Sequence, residues 1–223
     1  MSILNDPKYA VEAAVLNDLI EFEGGKLVTD TPTAAVVRLP SGLDECLFAD
    51  INAFREISPR GEVCLMNMPL DAPETLGFKA EPCVTHAYLK PMPPRLLRLD
   101  IRRLAPSLAE TVAREYSNKG GGYTAEEVAA IMRDKGVFGA IVDGKLAGFI
   151  GRHDEGSMGM LKVFDAFRRR GIGEELEIFM ITYIMTFGRV PVCDVYADNL
   201  PSVRLQQKLG LTAANRYTFW TEL

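Results

Sequence analysis

One stretch limits what this chain can fold into more than any other: Val163-Phe-Asp-Ala-Phe-Arg-Arg-Arg-Gly-Ile-Gly-Glu-Glu-Leu176. Ahead of it, Met158 to Phe164 is an apolar run of strand length. Behind it, Ile172, Leu176, Phe179, Met180, Tyr183, Ile184 and Phe187 recur at helical spacing on one face. The spacing therefore predicts a buried strand, a basic turn and a helix in immediate succession. The first turn of such a helix carries unpaired N–H groups and the positive end of its dipole, which together attract an anion. Gly171 and Gly173 let a phosphate come close to the backbone. Arg168, Arg169 and Arg170 add positive charge. Two plain alternatives stand beside this reading. Any tight strand-to-helix turn can use glycine, and an arginine run is usually a solvated face. Glu174, Glu175 and Glu177 suit the helix dipole but repel a phosphate.

The pattern Arg168-x-x-Gly171-x-Gly173 after an apolar strand resembles the acyl-CoA signature of the GNAT superfamily, the N-acetyltransferases. A second match follows in order. Val195-Tyr-Ala-Asp-Asn199-Leu-Pro-Ser202-Val-Arg-Leu205-Gln-Gln-Lys208-Leu-Gly210-Leu211 is similar to the family's strand, Asn-x-x-Ser, helix and Lys-Leu-Gly-Phe. The likeness covers roughly residues 96 to 223. It is nearest to the subgroup of glycine N-acyltransferase-like proteins, with Val190-Pro-Val-Cys-Asp-Val195 preceding the Asn-x-x-Ser. Two rival glycine motifs fail. No Gly-Lys-Ser/Thr follows, as a nucleotide-binding P-loop needs, and the glycine spacing does not fit a dinucleotide fold.

Composition narrows the remaining classes. At 48% hydrophobic and 25% charged, the 223 residues suit a soluble globular protein of one large or two small domains. No apolar run reaches membrane-spanning length, and Met1-Ser-Ile-Leu-Asn-Asp lacks the features of a signal peptide. A net charge of -5 without aromatics interleaved in a basic run argues against nucleic acid. Cys46, Cys64, Cys83 and Cys193 are far apart, and only His86 and His153 could join them, so no metal site is expected. Free thiols fit a reducing cytoplasm.

Taken in order, residues 1 to 20 hold Val11, Ala14, Val15 and Leu19 at helical spacing. Phe22 to Val28 reads as a strand pair turning at Gly24-Gly25. Strands are expected at Ala34 to Leu39, Glu62 to Met66 and Cys83 to Leu89, with a strand and short helix over Leu47 to Ile57. Lys90-Pro-Met-Pro-Pro-Arg95 is the best linker, since proline forbids helix and most ladder positions. The chain is expected to divide into an N-terminal α/β domain over 1–90, a linker over 91–95 and an acyl-CoA-binding domain over 96–223. Leu96 to Leu104 would be the second domain's first strand. Pro106 would open a helix through Tyr116, followed by a loop over 117–122. Thr124-Ala-Glu-Glu127 reads as a capping box, and Asp143-Gly144 as a hairpin turn. Thr75-Leu-Gly-Phe78 also echoes Lys208-Leu-Gly-Leu211. The echo is either two ordinary glycine helix stops or a sign that the N-terminal half is a degenerate copy of the same fold. That half has no Arg-x-x-Gly-x-Gly, so it should bind no cofactor of its own.

The resemblance implies an α/β fold with a mixed sheet flanked by helices. Its central strands splay so that the pantetheine arm of acetyl-CoA or another acyl-CoA enters. Leu161, Lys162 and Val163 would pair with that arm like an added strand. Arg168, Arg169, Arg170, Gly171, Ile172, Gly173 and Glu174 would hold the pyrophosphate. Asn199 and Ser202 would be polar contacts, or equally a helix cap and a first-turn serine. The implied reaction is acyl transfer to the amine of a small molecule or amino acid. The acceptor is expected between the N-terminal half and the splayed strands, near Gly120 to Tyr123. For the base, Glu155 would share a face with Ser157 if both lie on a strand, and His153 is a candidate because histidine's unperturbed pKa suits a base near neutral pH; Asp194 is a third candidate. At Gln206 many family members carry an acid tyrosine. Glutamine there favours a rival reading, a non-catalytic acyl-CoA sensor. Neither Tyr196 nor Tyr217 is placed at the thiol. A homodimer through a sheet edge or a helix stays open.

Overall fold

The computed structural model describes residues 1–116 and 121–223. The loop expected over 117–122 lies mostly outside them. The chain forms α1 (Ala10–Phe22), β1 (Lys26–Asp30), β2 (Ala34–Arg38), β3 (Asp44–Phe48), α2 (Ile51–Ile57), β4 (Glu62–Met68), α3 (Ala72–Leu76) and β5 (Cys83–Ala87). It continues through β6 (Asp100–Arg103), α4 (Ala109–Glu115), α5 (Ala125–Asp134), β7 (Val137–Val142), β8 (Lys145–Arg152), β9 (Met158–Val163) and α6 (Ile172–Met185). It ends with β10 (Val192–Tyr196), α7 (Leu200–Leu209), β11 (Thr212–Ala213) and β12 (Tyr217–Glu222).

Two compact units result, one of Met1–Leu89 with Val192–Leu223 and one of Lys90–Pro191. Compactness thus divides the chain differently from the expected boundary that joined 96–223 together. The physical reason is strand pairing. β12 lies between β4 and β5, and β10 pairs with β5, so the C-terminal strands complete the N-terminal sheet in the order β1-β2-β3-β4-β12-β5-β10. Within it only β3 and β4 are parallel. A parallel pair needs a crossover, which α2 provides. One face of this sheet packs Val36, Cys46, Phe48, Leu65, Met68 and Phe219 against α2 and α3.

The other unit is an antiparallel sheet, β6-β7-β8-β9, with α4, α5 and α6. Its core joins Val112 of α4, Val128, Ile131 and Met132 of α5, and Val137, Phe149 and Met160 of the strands. Phe149 is fully buried, so truncation to alanine should cost about 3–5 kcal/mol. The β7–β8 hairpin turns at Asp143 (φ 50°) and Gly144 (φ 72°), the left-handed pair that matches strand twist. The capping box is present: Glu127 N–H donates to Thr124 Oγ, and Thr124 N–H donates to Glu127 Oε2.

Three expected elements differ. Gly24-Gly25 stops α1 instead of turning a hairpin: Gly24 is left-handed at φ 72°, and Gly25 N–H returns to Leu19 O at 3.0 Å. The strand expected from Leu96 begins only at Asp100, because the Arg98 amide is taken by Glu175 rather than by a ladder partner. The helix from Pro106 starts as a 3-10 turn, Pro106–Leu108, before α4.

Candidate functional site

β9 is the edge of its sheet. Its register against β8 slips between Phe149↔Lys162 and Gly151↔Gly159, so Met160 and Leu161 together face Ile150. This is a β-bulge, and Met160 sits in the left-handed region at φ 51°. A buried methionine in that conformation is costly backbone, a feature that gathers at working sites. Past the bulge, Phe164 N–H bonds Ala147 O at 2.9 Å. Antiparallel alternation then turns the Lys162 backbone toward β8 and the Val163 backbone toward the open edge. Of the three residues expected to pair with an extended ligand, Val163 turns its backbone to the edge, where its carbonyl accepts from Arg168 Nε at 3.5 Å. Lys162 is turned the other way, and Leu161 stands inside the bulge.

The turn after β9 follows the order read from the sequence. A 3-10 turn, Asp165–Phe167, leads to Arg169 at φ 60° and Gly171 at φ 76°, and α6 begins at Ile172. No side chain caps this helix. Gly171 has no side chain that could take up the Ile172 and Gly173 amides, and amides at a helix start without such a cap can bind an anion. The two glycines differ in why they are there. A Cβ on Gly171 would meet nothing within 4 Å, so the left-handed backbone alone calls for glycine. A Cβ on Gly173 would touch Val163 Cγ2 at an ordinary 3.5 Å. Only an approaching ligand would make Gly173 necessary. Arg168 pairs with Asp165 at 2.8 Å, and the Arg170 guanidinium lies over the Phe167 ring at 5.5 Å.

The acidic first turn, which counts against a phosphate, is neutralised from the linker. Arg95 bonds Glu175 and reaches Glu174 at 3.4 Å, and Arg98 N–H donates to Glu175 Oε2 at 2.8 Å. Burial alone would raise the Glu175 carboxyl, but the Arg95 and Arg98 hydrogen bonds bring it below its ordinary value. Glu177 is buried. Sequence reasoning missed Arg95. The signal was an arginine closing a proline linker, which says nothing about the helix it will meet 79 residues later.

Two of the candidate bases, His153 and Glu155, lie in the turn between β8 and β9, not on a strand. Gly156, at φ 101°, bonds back from its N–H to His153 O, and His153 N–H bonds Ser157 O at 2.9 Å. The expected Glu155–Ser157 proximity exists as a bond from Ser157 Oγ to Glu155 Oε1 across this turn. His153 Nδ1 lies 2.6 Å from Tyr123 Oη. Its ring sits over β9, where a Cβ on Gly159 would come 2.1 Å from Nε2. Tyr116 stacks on Tyr123 with centroids 6.2 Å apart, and both rings neighbour His153. Burial, helped by Glu155, Tyr116, Asp154 and Glu127, pushes the Tyr123 phenol well above its ordinary pKa, so it stays protonated.

The remaining expected residues belong to the other unit. Asn199 caps α7, accepting from Ser202 N–H at 3.4 Å. Asp194 is tied into strand pairing: Thr85 Oγ donates to Oδ1 at 2.6 Å and Trp220 Nε1 to Oδ2 at 2.8 Å. Thr85 Oγ also lies 2.6 Å from Thr218 Oγ. Asp194 thus joins β10, β5 and β12. Gln206 is buried at 1% exposure in α7. Tyr196 ends β10, and Tyr217 opens β12. Gly120 lies outside the described residues. Among the described residues no group of three His, Cys, Asp or Glu could hold a metal, and no helix is long and apolar enough to cross a membrane.

Known proteins resemble this chain in part of its sequence and in its fold. The family profile of FR47-like proteins matches residues 135–221, which include β9, the arginine turn and α6. No curated protein sequence matches the chain. Among solved structures, the chain is similar to a Drosophila protein at TM-score 0.61 and 18% identity, covering 85% of this chain and 74% of that one. It is similar to a GNAT-family protein of Novosphingobium aromaticivorans at TM-score 0.58 and 20% identity, covering 93% and 95%. It is also similar to a GNAT-family acetyltransferase of Colwellia psychrerythraea at TM-score 0.54 and 15% identity, covering 100% and 99%. At such identities the likeness shows the fold: a mixed α/β fold of GNAT type.

Proposed function

We propose that this chain is an acyl-CoA-dependent N-acyltransferase of the GNAT superfamily, near its glycine N-acyltransferase-like members. It would move an acetyl or other short acyl group to the amine of a small molecule. The observation that carries this reading is the uncapped start of α6 directly behind an edge strand with a bulge. The open amides of Ile172 and Gly173, with Arg168 to Arg170 around them, suit a pyrophosphate. The edge side of β9 at Val163, whose carbonyl accepts from Arg168 Nε at 3.5 Å, suits an extended amide-bearing arm that takes over that contact. In the reaction the amine nitrogen attacks the thioester carbonyl carbon. A C–N bond forms, the C–S bond breaks, and the thiolate takes up a proton. The amine's proton goes to a base.

His153 fits that task better than Glu155. Its ring lies on β9, the strand along which the thioester would run, whereas the Glu155 carboxylate is bonded within the turn to Ser157. A positioned base contributes about 10²–10⁴-fold, so His153→Ala should lower kcat by at least about a hundredfold. The first experiment is calorimetric titration with acetyl-CoA and longer acyl-CoAs on wild type and on Gly173→Glu. Wild-type binding lost in the variant supports the site, and a folded wild type that binds no CoA overturns it. A second reading, a protein that binds acyl-CoA without turnover, is favoured by the buried Gln206. Binding without transfer to any of a broad panel of amines would decide for it.

A further inference from the structure

We infer that Tyr123 is the positioning residue for His153, and that Gly159 is the seat its ring requires. The inference rests on the reading of His153 as base. It starts from local sequence. The Thr124–Glu127 capping box fixes how the chain enters α5, and the residue before the cap is the one whose direction it sets. That residue is Tyr123. Its ring is held against the α4–α5 core and stacked on Tyr116, so little freedom is left to the phenol.

The phenol oxygen then meets His153 Nδ1 at 2.6 Å. With Nδ1 engaged, Nε2 is the nitrogen left for proton exchange, and it occupies the volume that a side chain at position 159 would fill. Two residues along β9 from the turn, glycine is thus present because an imidazole lies there. When Nε2 takes the amine's proton, Nδ1 carries the other, and its N–H donates to Tyr123 Oη. The charge that forms on the ring is met by a fixed phenol dipole, with the carboxylates of Asp154, Glu155 and Glu127 in the same neighbourhood. No proton has to leave Tyr123, in keeping with its raised pKa.

The test uses ¹⁵N NMR of the imidazoles together with kinetics. The chain has two histidines, so the spectrum is readable. In wild type His153 should show one dominant tautomer. Tyr123→Phe keeps the ring and the packing but removes the oxygen. It should give averaged tautomers and a kcat lower by about tenfold at unchanged KM for acyl-CoA, the size of one lost charge-assisted hydrogen bond. Gly159→Ala should displace the ring and lower kcat further. A Tyr123→Phe protein with the wild-type tautomer, or with wild-type kcat, overturns the inference. Full turnover by His153→Gln overturns it from the other side, since no base remains to be positioned, while leaving acyl transfer itself standing.

Discussion

The chain runs through strand, strand, strand, helix, strand, helix, strand twice, and the two passages end in opposite states. In the first, β3 and β4 flank α2 and pair in parallel, Asp44↔Val63 through Leu47↔Met66. In the second, β9 and β10 flank α6, belong to different sheets, and each stands at an edge. The helix starts differ in the same sense. Asp50 caps α2 by accepting from Asn52 N–H at 2.8 Å and Ala53 N–H at 3.0 Å, while no side chain caps α6 after Gly171. In the first passage strand edge and helix amides are thus spent internally; in the second the two strands do not pair and the N-cap residue supplies no side-chain acceptor. The same order of elements closes on itself in one place and, on the proposed reading, receives acyl-CoA in the other. What separates them is a few backbone donors and a capping carboxylate.

The largest effect should come from closing the second passage chemically. In Gly173→Glu the new Cβ fits and the carboxylate lies at the helix start, so the fold should keep its melting temperature while acyl-CoA affinity falls at least about a hundredfold. Calorimetry with thermal unfolding checks both halves of that statement. Gly171→Glu confuses the two, because the left-handed backbone is strained by any side chain.

Arg95→Ala should weaken acyl-CoA binding by about fivefold to tenfold, more at low salt, by exposing Glu174 and Glu175 to the incoming phosphates. Adding Glu174→Gln should recover part of the loss. If it recovers nothing, Arg95 acts through the linker rather than through charge.

Asp50→Ala tests which feature closes the first passage. Losing the cap should cost about 1 kcal/mol in urea unfolding. Binding should remain at one acyl-CoA per chain, since β3 and β4 are still paired. A second equivalent would show that the cap, not the strand pairing, keeps that half silent.

The smallest effect concerns pH. The Glu175 carboxyl is lower in the folded chain than its ordinary value. Its contribution is therefore fully present above the ordinary carboxylate pKa and is lost as pH falls through the folded one. Wild type should lose more stability than Glu175→Gln between pH 5 and pH 3, read from urea midpoints, by about 1 kcal/mol or less.

Much of this was legible in the chain itself. The strand–arginine turn–helix of 158–187, the Thr124 capping box, the Asp143-Gly144 turn and the Leu-Gly stops at Gly77 and Gly210 are set by neighbours within a few residues. Apolar period, cap chemistry and positive φ act at that range. Tertiary structure decided what distant segments do to one another. It brought Arg95 onto Glu175, Tyr123 onto His153 and Thr85 onto Asp194, and it sent β12 between β4 and β5. These contacts depend on which edge a strand finds free and which face a helix presents, and no local periodicity encodes either.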